Sequence, residues 1–433
     1  MNKNALYIIE KLNKAGYIAY YAGGSVRDMI MGLDPKDIDI ATDAKPEAIL
    51  KLFKTTIPVG IQFGVVIVML GGKQYEVATF RADSEYIDGR HPEKVIFTNE
   101  KEDALRRDFT INGMFFDPIN KKIIDYIDGQ KDIKNKIIKA INEPCERFDE
   151  DKLRILRAIR FSARFNFEIE KKTKDAIKKY ADKINLVSSE RIRDELIKMM
   201  VHPSRSKALD LLHELGLLKQ ILPEVEDMVG MQQPPQFHPE GDVFKHTKLA
   251  LDYIGENPSP VLAMATLLHD VGKPPTYTVT DRIRFHGHCF VGSKIADKIL
   301  KRLKFSNEDR KNITLYVKEH MRFTHVKEMR IGKLKKMLQR ESILEEIKLH
   351  EADCLACHGI VENRDFCLAK LKEFSQEELK PKPLITGNDL IKLGFKPSSL
   401  FKKILDDIEN QQLEDGIKTK KQAKEYIKAK YIL

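Results

Sequence analysis

Gly23-Gly24-Ser25-Val26-Arg27-Asp28, followed nine residues later by Asp37-Ile38-Asp39-Ile40, is the stretch on which the reading of this chain turns. Two glycines allow a tight backbone turn and present bare N–H groups, and the helix that follows adds its positive end. Gly23, Gly24, Ser25 and Arg27 together make a cradle for a triphosphate. On a strand, residues two apart face the same way, so Asp37 and Asp39 point out together while Ile38 and Ile40 point to the core. Two carboxylates aimed at one point repel unless a cation sits between them. Their hard oxygens suit Mg²⁺ shared with substrate phosphates. A pair of such ions would activate a 3′-hydroxyl and stabilise a leaving pyrophosphate.

The flanks extend this pattern. A short amphipathic helix around Tyr7 to Leu12 precedes an extended run at Ala19 to Ala22. Strands at 64–70 and 75–80 are joined by Gly71-Gly72 as a hairpin turn. Glu76 on the second strand is a third candidate carboxylate, to be set against an ordinary exposed strand glutamate. Arg106-Arg107-Asp108-Phe109-Thr110-Ile111-Asn112 then mixes cations for phosphates (Arg107) with Asp108 and Asn112 for ribose hydroxyls.

From Phe148 onward strand signals nearly vanish. Apolar residues recur at helical spacing through 151–165, 172–180, 189–200, 206–218 and 243–375. Gln232 to Pro239 and Lys380 to Pro383 read as loops and boundary markers. The expected division is a head at 1–140, a neck at 141–230, a helical body at 231–379 and a tail at 380–433.

Composition narrows the classes. Over 433 residues, 75 Lys and Arg against 65 Asp and Glu give a net charge of +10, compatible with simple solubility or with a polyanionic partner. No apolar run approaches the roughly 20 residues that span a bilayer, and the start carries no signal-peptide pattern. Five cysteines in such a chain suggest a reducing cytoplasm.

In the neck, Asp149 to Arg160 reads as one helix, with Ile155, Leu156, Ile159 and Ala163 as its apolar stripe. Asp151, Arg154 and Arg157 share the other face, either as an ion-paired solvated surface or as a base-reading set. Cytosine and adenine each offer a ring-nitrogen acceptor beside an amino donor, which an Arg N–H and an Asp carboxylate match. Uracil and guanine present the reverse, and such a mismatch discriminates by as much as 10⁴–10⁵.

The ordered set Gly23 to Asp28, Asp37-x-Asp39, Arg106 to Asn112 and Glu150-Asp151-Lys152-Leu153-Arg154 resembles the motifs of class II tRNA nucleotidyltransferases, the family of CCA-adding enzymes and bacterial poly(A) polymerases. The resemblance runs through roughly 1–230. It implies an α+β protein: a polymerase-β-like nucleotidyltransferase head, a mixed sheet with helices, followed by an all-α neck, body and tail. It implies Mg²⁺ in the head, CTP and ATP as substrates and a tRNA 3′ end as primer, with Asp37, Asp39 and Glu76 catalytic. Asp151 and Arg154 inherit base reading, and Ser188-Ser189-Glu190-Arg191-Ile192 resembles the family's following neck motif, which braces this helix. Arg81 to Pro92 resembles the loop associated with adding the terminal A, which argues against a CC-only enzyme. Ile61 to Val66 is closer to tRNA-specific members, and an A-adding enzyme or a poly(A) polymerase stays as the alternative.

In the body, His246, His269-Asp270 and Asp353 resemble the ordered ligands of an HD-type phosphohydrolase. That N/O set suits Mg²⁺, Mn²⁺, Ni²⁺ or Fe²⁺, with His288 and His320 available for phosphate or a second metal. Lys273 and its Gly-Lys-Pro turn also resemble that superfamily. Cys354-Leu355-Ala356-Cys357-His358 matches a haem-attachment pattern, but attachment needs export, and Asp353 places the run on a packed helix instead. The tail from Leu384 to Leu390 resembles the family's C-terminal module, and Lys418, Lys420, Lys421, Lys424, Lys428 and Lys430 offer a grip on an RNA backbone. The competing classes are a phosphohydrolase whose N-terminal part only positions RNA and a non-catalytic RNA-binding protein. Asp37 and Asp39 argue against both, since an RNA clamp gains nothing from carboxylates facing a polyanion.

Overall fold

Two units make up the computed structural model, residues 1–223 and 224–433, and the residues it describes are 2–35, 37–83 and 95–431. The first unit is built on a mixed sheet of seven strands. Their order is Thr56–Ile57, Val65–Leu70, Lys73–Thr79, Asp39–Thr42, Ala19–Ala22, Phe115–Asp117 and Lys122–Ile124. The hairpin expected at Gly71-Gly72 forms: Leu70 pairs with Lys73, and both glycines take the positive φ, 58° and 74°, that a two-residue turn requires. Alternation sets the faces. Lys73–Thr79 buries Tyr75 and Val77 and exposes Gln74 and Glu76, and the helix Lys3–Lys14 buries Ala5, Ile8, Ile9 and Leu12 at helical spacing.

Register brings the chemistry to one end of this sheet. Ala22 pairs antiparallel with Asp39, so the turn at Gly23 lies beside the first residue of the Asp39–Thr42 strand. Ile40 pairs in parallel with Val77, which sets Asp39 next to Glu76 on the face opposite the two buried apolar side chains. Asp37 lies on a bend before the strand, exposed like Asp39, while Ile40 is buried.

The neck departs from the single helix expected over 149–160. It is two helices, Pro144–Glu150 and Leu153–Phe165, with Asp151 extended between them at φ −148°, ψ 104°. The cause is local: the Asp151 carboxylate accepts the Leu153 N–H at 3.0 Å, an alternative to helical bonding that short polar side chains offer. The second helix buries Leu153, Arg154, Ile155, Leu156, Ala158 and Ile159 and packs on Ser189–Met200 and Arg205–Glu214. Its apolar surface is therefore wider than one stripe.

Among the described residues the second unit is helical, as expected, apart from a hairpin of Tyr277–Val279 and Ile283–Phe285. Its centre is formed by Val243–Tyr253, Pro260–Leu268, His288–Arg302, Asn307–Glu319 and Ile343–Cys357. Pro260 sits at the first helical turn behind a Ser259 cap, the position where its missing N–H costs nothing. The tail opens with a Thr386–Asp389 capping box and folds around Ile385, Leu390, Ile404, Ile408 and Ile427. Among the described residues, no helix is long and apolar enough to cross a membrane.

Candidate functional sites

Gly23 turns at φ 66°, ψ −128°. A Cβ there would stand 2.8 Å from Arg107 Nη1, so conformation and space both call for glycine. Ser25 is buried and its hydroxyl donates to the Ala22 carbonyl at 2.9 Å, fixing the turn. Asp39 is exposed at its surface yet densely flanked. Those surroundings raise its carboxyl above the ordinary value; Arg107 opposes the rise and Asp37 adds to it. Glu76, exposed at its surface but closely flanked, is raised too, first by loss of water around it and then by Asp39, against Arg81 and Arg107. Asp39 therefore feels both Asp37 and Glu76, with Arg107 only partly offsetting them, and such carboxylates offer the hard oxygens that a divalent cation takes.

Arg107 is held in place on three sides. Its Nε and Nη2 donate to Asp103 Oδ2 at 3.1 and 2.9 Å, Nη1 donates to the Asn112 carbonyl at 3.3 Å, and the guanidinium lies 5.1 Å from the centre of the Phe115 ring. The same buried Asp103 accepts from Arg106 Nε at 2.9 Å. Sequence reasoning missed Asp103; its signal was the spacing of three and four residues to the two arginines.

A buried chain of polar contacts ties this region to the neck. Arg27 Nη1 donates to Asn112 Oδ1 at 2.5 Å, Asn112 Nδ2 donates to Asp108 Oδ1 at 3.0 Å, and Arg157 Nε donates to Asp108 Oδ2 at 2.8 Å. Arg27 also binds Asp28 Oδ1 through Nε and Nη2 and stacks on Phe165 at 4.5 Å. Burial opposes ionisation of Asp108, but Arg157 and the Asn112 amide prevail and hold its carboxyl at about 2. Arg27, Asp108 and Asn112, expected to meet the nucleotide directly, have these polar atoms committed to one another in this structure. They set the positions of the Gly24–Ile30 helix, the Thr110–Asn112 turn and the Leu153–Phe165 helix.

Asp151 and Arg154 do not pair with each other. Arg191 Nη1 and Nη2 donate to Asp151 Oδ1 and Oδ2 at 3.1 and 2.7 Å. Arg154, 8% exposed, donates from Nη1 to Glu150 Oε2 at 2.6 Å and from Nη2 to the Arg106 carbonyl at 3.3 Å. Each expected base-reading group therefore has its own brace, Arg191 for one and Glu150 for the other.

The second unit draws together His246, His269, Asp270 and Asp353, with His288 and His320 alongside. His246 Nε2 lies 3.0 Å from Asp353 Oδ1, 3.3 Å from His269 Nε2 and 3.7 Å from Asp270 Oδ2. The far nitrogens of the rings are tied down. His269, His288 and His320 each direct Nδ1 at a backbone carbonyl, those of Thr266, Phe285 and Val317, at 2.7–2.9 Å, and His246 directs Nδ1 at Glu240 Oε1 at 2.7 Å. A carbonyl only accepts, so Nδ1 carries the hydrogen and each neutral ring turns a bare Nε2 lone pair inward. Burial pushes His320 down to about 3, keeping it neutral. His246 behaves oppositely: burial disfavours its charge, but hydrogen bonds to Asp353 and Glu240 carry it to about 9.

Convergent lone pairs beside two buried carboxylates call for a cation. Both Asp270 oxygens are buried without a hydrogen-bond partner, although Lys273 Nζ lies 2.6 Å from Oδ2 as an ion pair. Three groups of donors here could hold a metal ion, centred on His246-His269-Asp270, His238-Glu240-His246 and His288-Cys289-His320. Glu240 and Cys289 were not foreseen. A cavity of about 670 Å³ opens over the cluster, with Phe237, Arg282, Phe285 and Met321 in its wall. Asp353, Cys354 and Cys357 ride on the packed Ile343–Cys357 helix, as expected. At Gly272 the main chain lies directly on the His288–Arg302 helix: an added Cβ would meet the His288 carbonyl at 2.1 Å and Gly292 N at 2.5 Å.

Comparison with known proteins assigns these regions. Residues 19–139 match the poly A polymerase head domain, 166–229 the probable RNA and SrmB-binding site of polymerase A, and 242–357 the HD domain. The CCA-adding enzyme of Lactobacillus helveticus (strain DPC 4571) is 40% identical over 237 residues, 54% of this chain and 58% of that protein. That of Ligilactobacillus salivarius (strain UCC118) is 45% identical over 208 residues, 48% of this chain and 51% of that protein. The chain thus spans about half the length of the curated relatives it matches. The structure of the Bacillus stearothermophilus CCA-adding enzyme in complex with CTP superposes over 99% of this chain and 98% of its own, with a TM-score of 0.72 at 26% identity. The Thermotoga maritima CCA-adding enzyme complexed with tRNA shares the fold, with a TM-score of 0.57 at 19% identity over 98% of this chain and 94% of its own. The chain thus carries, in order, a poly A polymerase head domain, the RNA-binding region of that polymerase and an HD domain, on a fold it shares with CCA-adding enzymes.

Proposed function

We propose that this protein adds CCA to tRNA 3′ ends without a template, using CTP and ATP in the cytoplasm. The observation that carries the reading is the register that sets Asp39 beside both the Gly23 turn and Glu76, with Arg107 locked nearby. In the reaction the tRNA 3′ oxygen bonds to the α-phosphorus, the bond to the β-phosphate oxygen breaks and pyrophosphate leaves. Mg²⁺ held by Asp37 and Asp39, with Glu76 alongside, would lower the pKa of the hydroxyl and neutralise charge on the phosphates. Gly23, Gly24 and Arg107 hold the triphosphate, while Ser25, Arg27, Asp108, Asn112 and Arg157 position them.

Asp151 and Arg154 read the base edge. A carboxylate has about four lone-pair sites, so Asp151 can receive a base amino group while forked by Arg191. The four-part division at 140, 230 and 379 assigns catalysis to the head, base reading and RNA binding to the neck, and an RNA grip to the tail. Of the tail lysines, Lys420 and Lys430 pair with Asp389 and Asp407, which leaves the grip mainly to Lys418, Lys421, Lys424 and Lys428. The expected A-adding loop falls largely on residues 84–92, outside the described residues, so A-only addition is the alternative within the family. Incubating the protein with tRNAs ending before CCA, after C and after CC, with CTP and ATP separately, tests the reading. Incorporation of A alone would select the A-adding alternative, and no incorporation of either would reject both.

The converging His and Asp groups support a second activity, metal-dependent phosphoester hydrolysis in the HD domain. His246, His269, Asp270 and Asp353 would hold one divalent ion, with His288 and His320 beside a second. Lys273, with Arg282 and Arg284 in the cavity wall, supplies positive charge for a phosphate.

A further inference from the structure

We propose that the Cys289 thiol is a ligand of the second metal position, and that its sulfur makes this position prefer a thiophilic ion such as Zn²⁺ over Mg²⁺. The proposal rests on the reading of the His and Asp cluster as a metal centre. Cys289 is the second residue of the His288–Arg302 helix, and its Sγ lies 3.5 Å from His288 Nε2 and 4.0 Å from His320 Nε2. The two ring nitrogens are 3.4 Å apart. Asp270 Oδ1 lies near the two rings, 3.6 Å from His288 Nε2 and 3.9 Å from His320 Nε2.

The His288–His320 and His288–Cys289 separations, 3.4 and 3.5 Å, are those of one kind of centre, and Cys289–His320 at 4.0 Å is slightly longer. Tetrahedral zinc with Zn–N near 2.0–2.1 Å and Zn–S near 2.3 Å places its nitrogen ligands about 3.3 Å apart and nitrogen and sulfur about 3.6 Å apart. The other polar demands of the group are met elsewhere: both imidazole Nδ1 atoms are bound to backbone carbonyls, so each Nε2 faces the sulfur as a bare lone pair. Asp270 Oδ1, on a residue 1% exposed, has no hydrogen-bond partner and is directed into the same space. Three lone-pair donors around a thiol are poorly matched to one S–H, and well matched to a cation.

The first position, His246, His269, Asp353 and Asp270 Oδ2, offers nitrogen and oxygen only. Asp270 thus stands between two positions of different softness, and soft thiolate ligands select Zn²⁺ over Mg²⁺. Binding replaces the S–H bond by a sulfur–metal bond and releases the proton to water; no electrons are transferred.

Cobalt reports this directly, because a thiolate bonded to Co²⁺ gives a charge-transfer band in the near ultraviolet. The full chain, stripped with a chelator and titrated with Co²⁺, is expected to take up two equivalents and to develop that band. Cys289→Ser should lose the band, whereas Cys357→Ser, which alters a thiol lining the cavity over the cluster, should keep it. Cys289→Asp should restore two-equivalent binding without the band and so exclude misfolding as the cause. Two equivalents with no band, or a band unchanged in Cys289→Ser, would overturn the sulfur ligand and leave the metal centre standing. Uptake no greater than in His246→Ala and Asp270→Ala would overturn the metal centre itself.

Discussion

Asp151 and Arg191, forty residues apart, meet as a two-pronged ion pair: Nη1 and Nη2 donate to the two carboxylate oxygens at 3.1 and 2.7 Å. This fork fixes the plane of the carboxylate. Replacing Arg191 with Gln is expected to let Asp151 rotate and to lower the preference for CTP and ATP over UTP and GTP by about tenfold or more. Relative kcat/KM for the four nucleotides is the measurement. A slower enzyme with unchanged selectivity would assign the fork to folding alone.

Asp37→Ala and Asp39→Ala should each abolish nucleotide addition, by about 10³ or more, since the cation they hold contributes several kcal/mol to the transition state. Both residues are exposed, so the far-ultraviolet circular dichroism and melting point should stay near those of the parent. Incorporation at the normal rate in either variant would remove the two-carboxylate argument.

The Asp108–Arg157 pair sets an acid limit on stability. The Asp108 carboxyl is depressed from 3.8 to about 2 in the fold, so its contribution is complete above the unfolded value and fades as pH falls through the folded one. The contribution is on the order of 2 kcal/mol. Chemical unfolding midpoints of the parent and of Arg157→Gln should differ at neutral pH and converge between pH about 4 and 2. A gap that does not close on acidification would show that the pair acts through packing instead.

Gly23→Ala should fail twice. The φ of 66° strains an L-residue by about 1–2 kcal/mol, and the methyl would press on Arg107 Nη1 at 2.8 Å. KM for both nucleotides is expected to rise more than kcat falls, with a lowered melting point. Equal KM values would separate Arg107 from triphosphate binding.

Asp270→Ala removes a carboxylate whose two oxygens serve the two metal positions and should silence hydrolysis of phosphoester substrates such as 2′,3′-cyclic nucleotides. Asp37 and Asp39 belong to the other unit, so CCA addition should survive. A metal-free parent that stays hydrolytically silent after reconstitution with Mn²⁺, Ni²⁺ and Mg²⁺ would mean the cluster is a relic.

Much of this was legible in the sequence because it is local. The Gly71-Gly72 hairpin, the alternation around Ile40 and Val77, and the adjacent His269-Asp270 are read within a few residues. What escaped depends on separation or on competition. A helical period continues through Asp151, and only the bond from its carboxylate to Leu153 N–H shows why the helix breaks there. The Arg27, Asn112 and Asp108 contacts join residues up to 85 apart, so a sequence reading from polarity alone does not show that these side chains are also bonded to one another in the interior. Cys289 resembles any half-buried cysteine until His320, 31 residues on, is placed beside it.

The contact of Gly272 with the His288–Arg302 helix, main chain against main chain, has a mechanical meaning. Side chains accommodate small errors by changing rotamer, and peptide groups in contact do not. Asp270 stands two residues from this contact, and the helix it touches begins with His288 and Cys289. The seam therefore works as a gauge block between the two halves of the cluster, its thickness fixed by a missing carbon. A methyl inserted at 272, facing an atom 2.1 Å away, would wedge the halves apart without altering a single ligand.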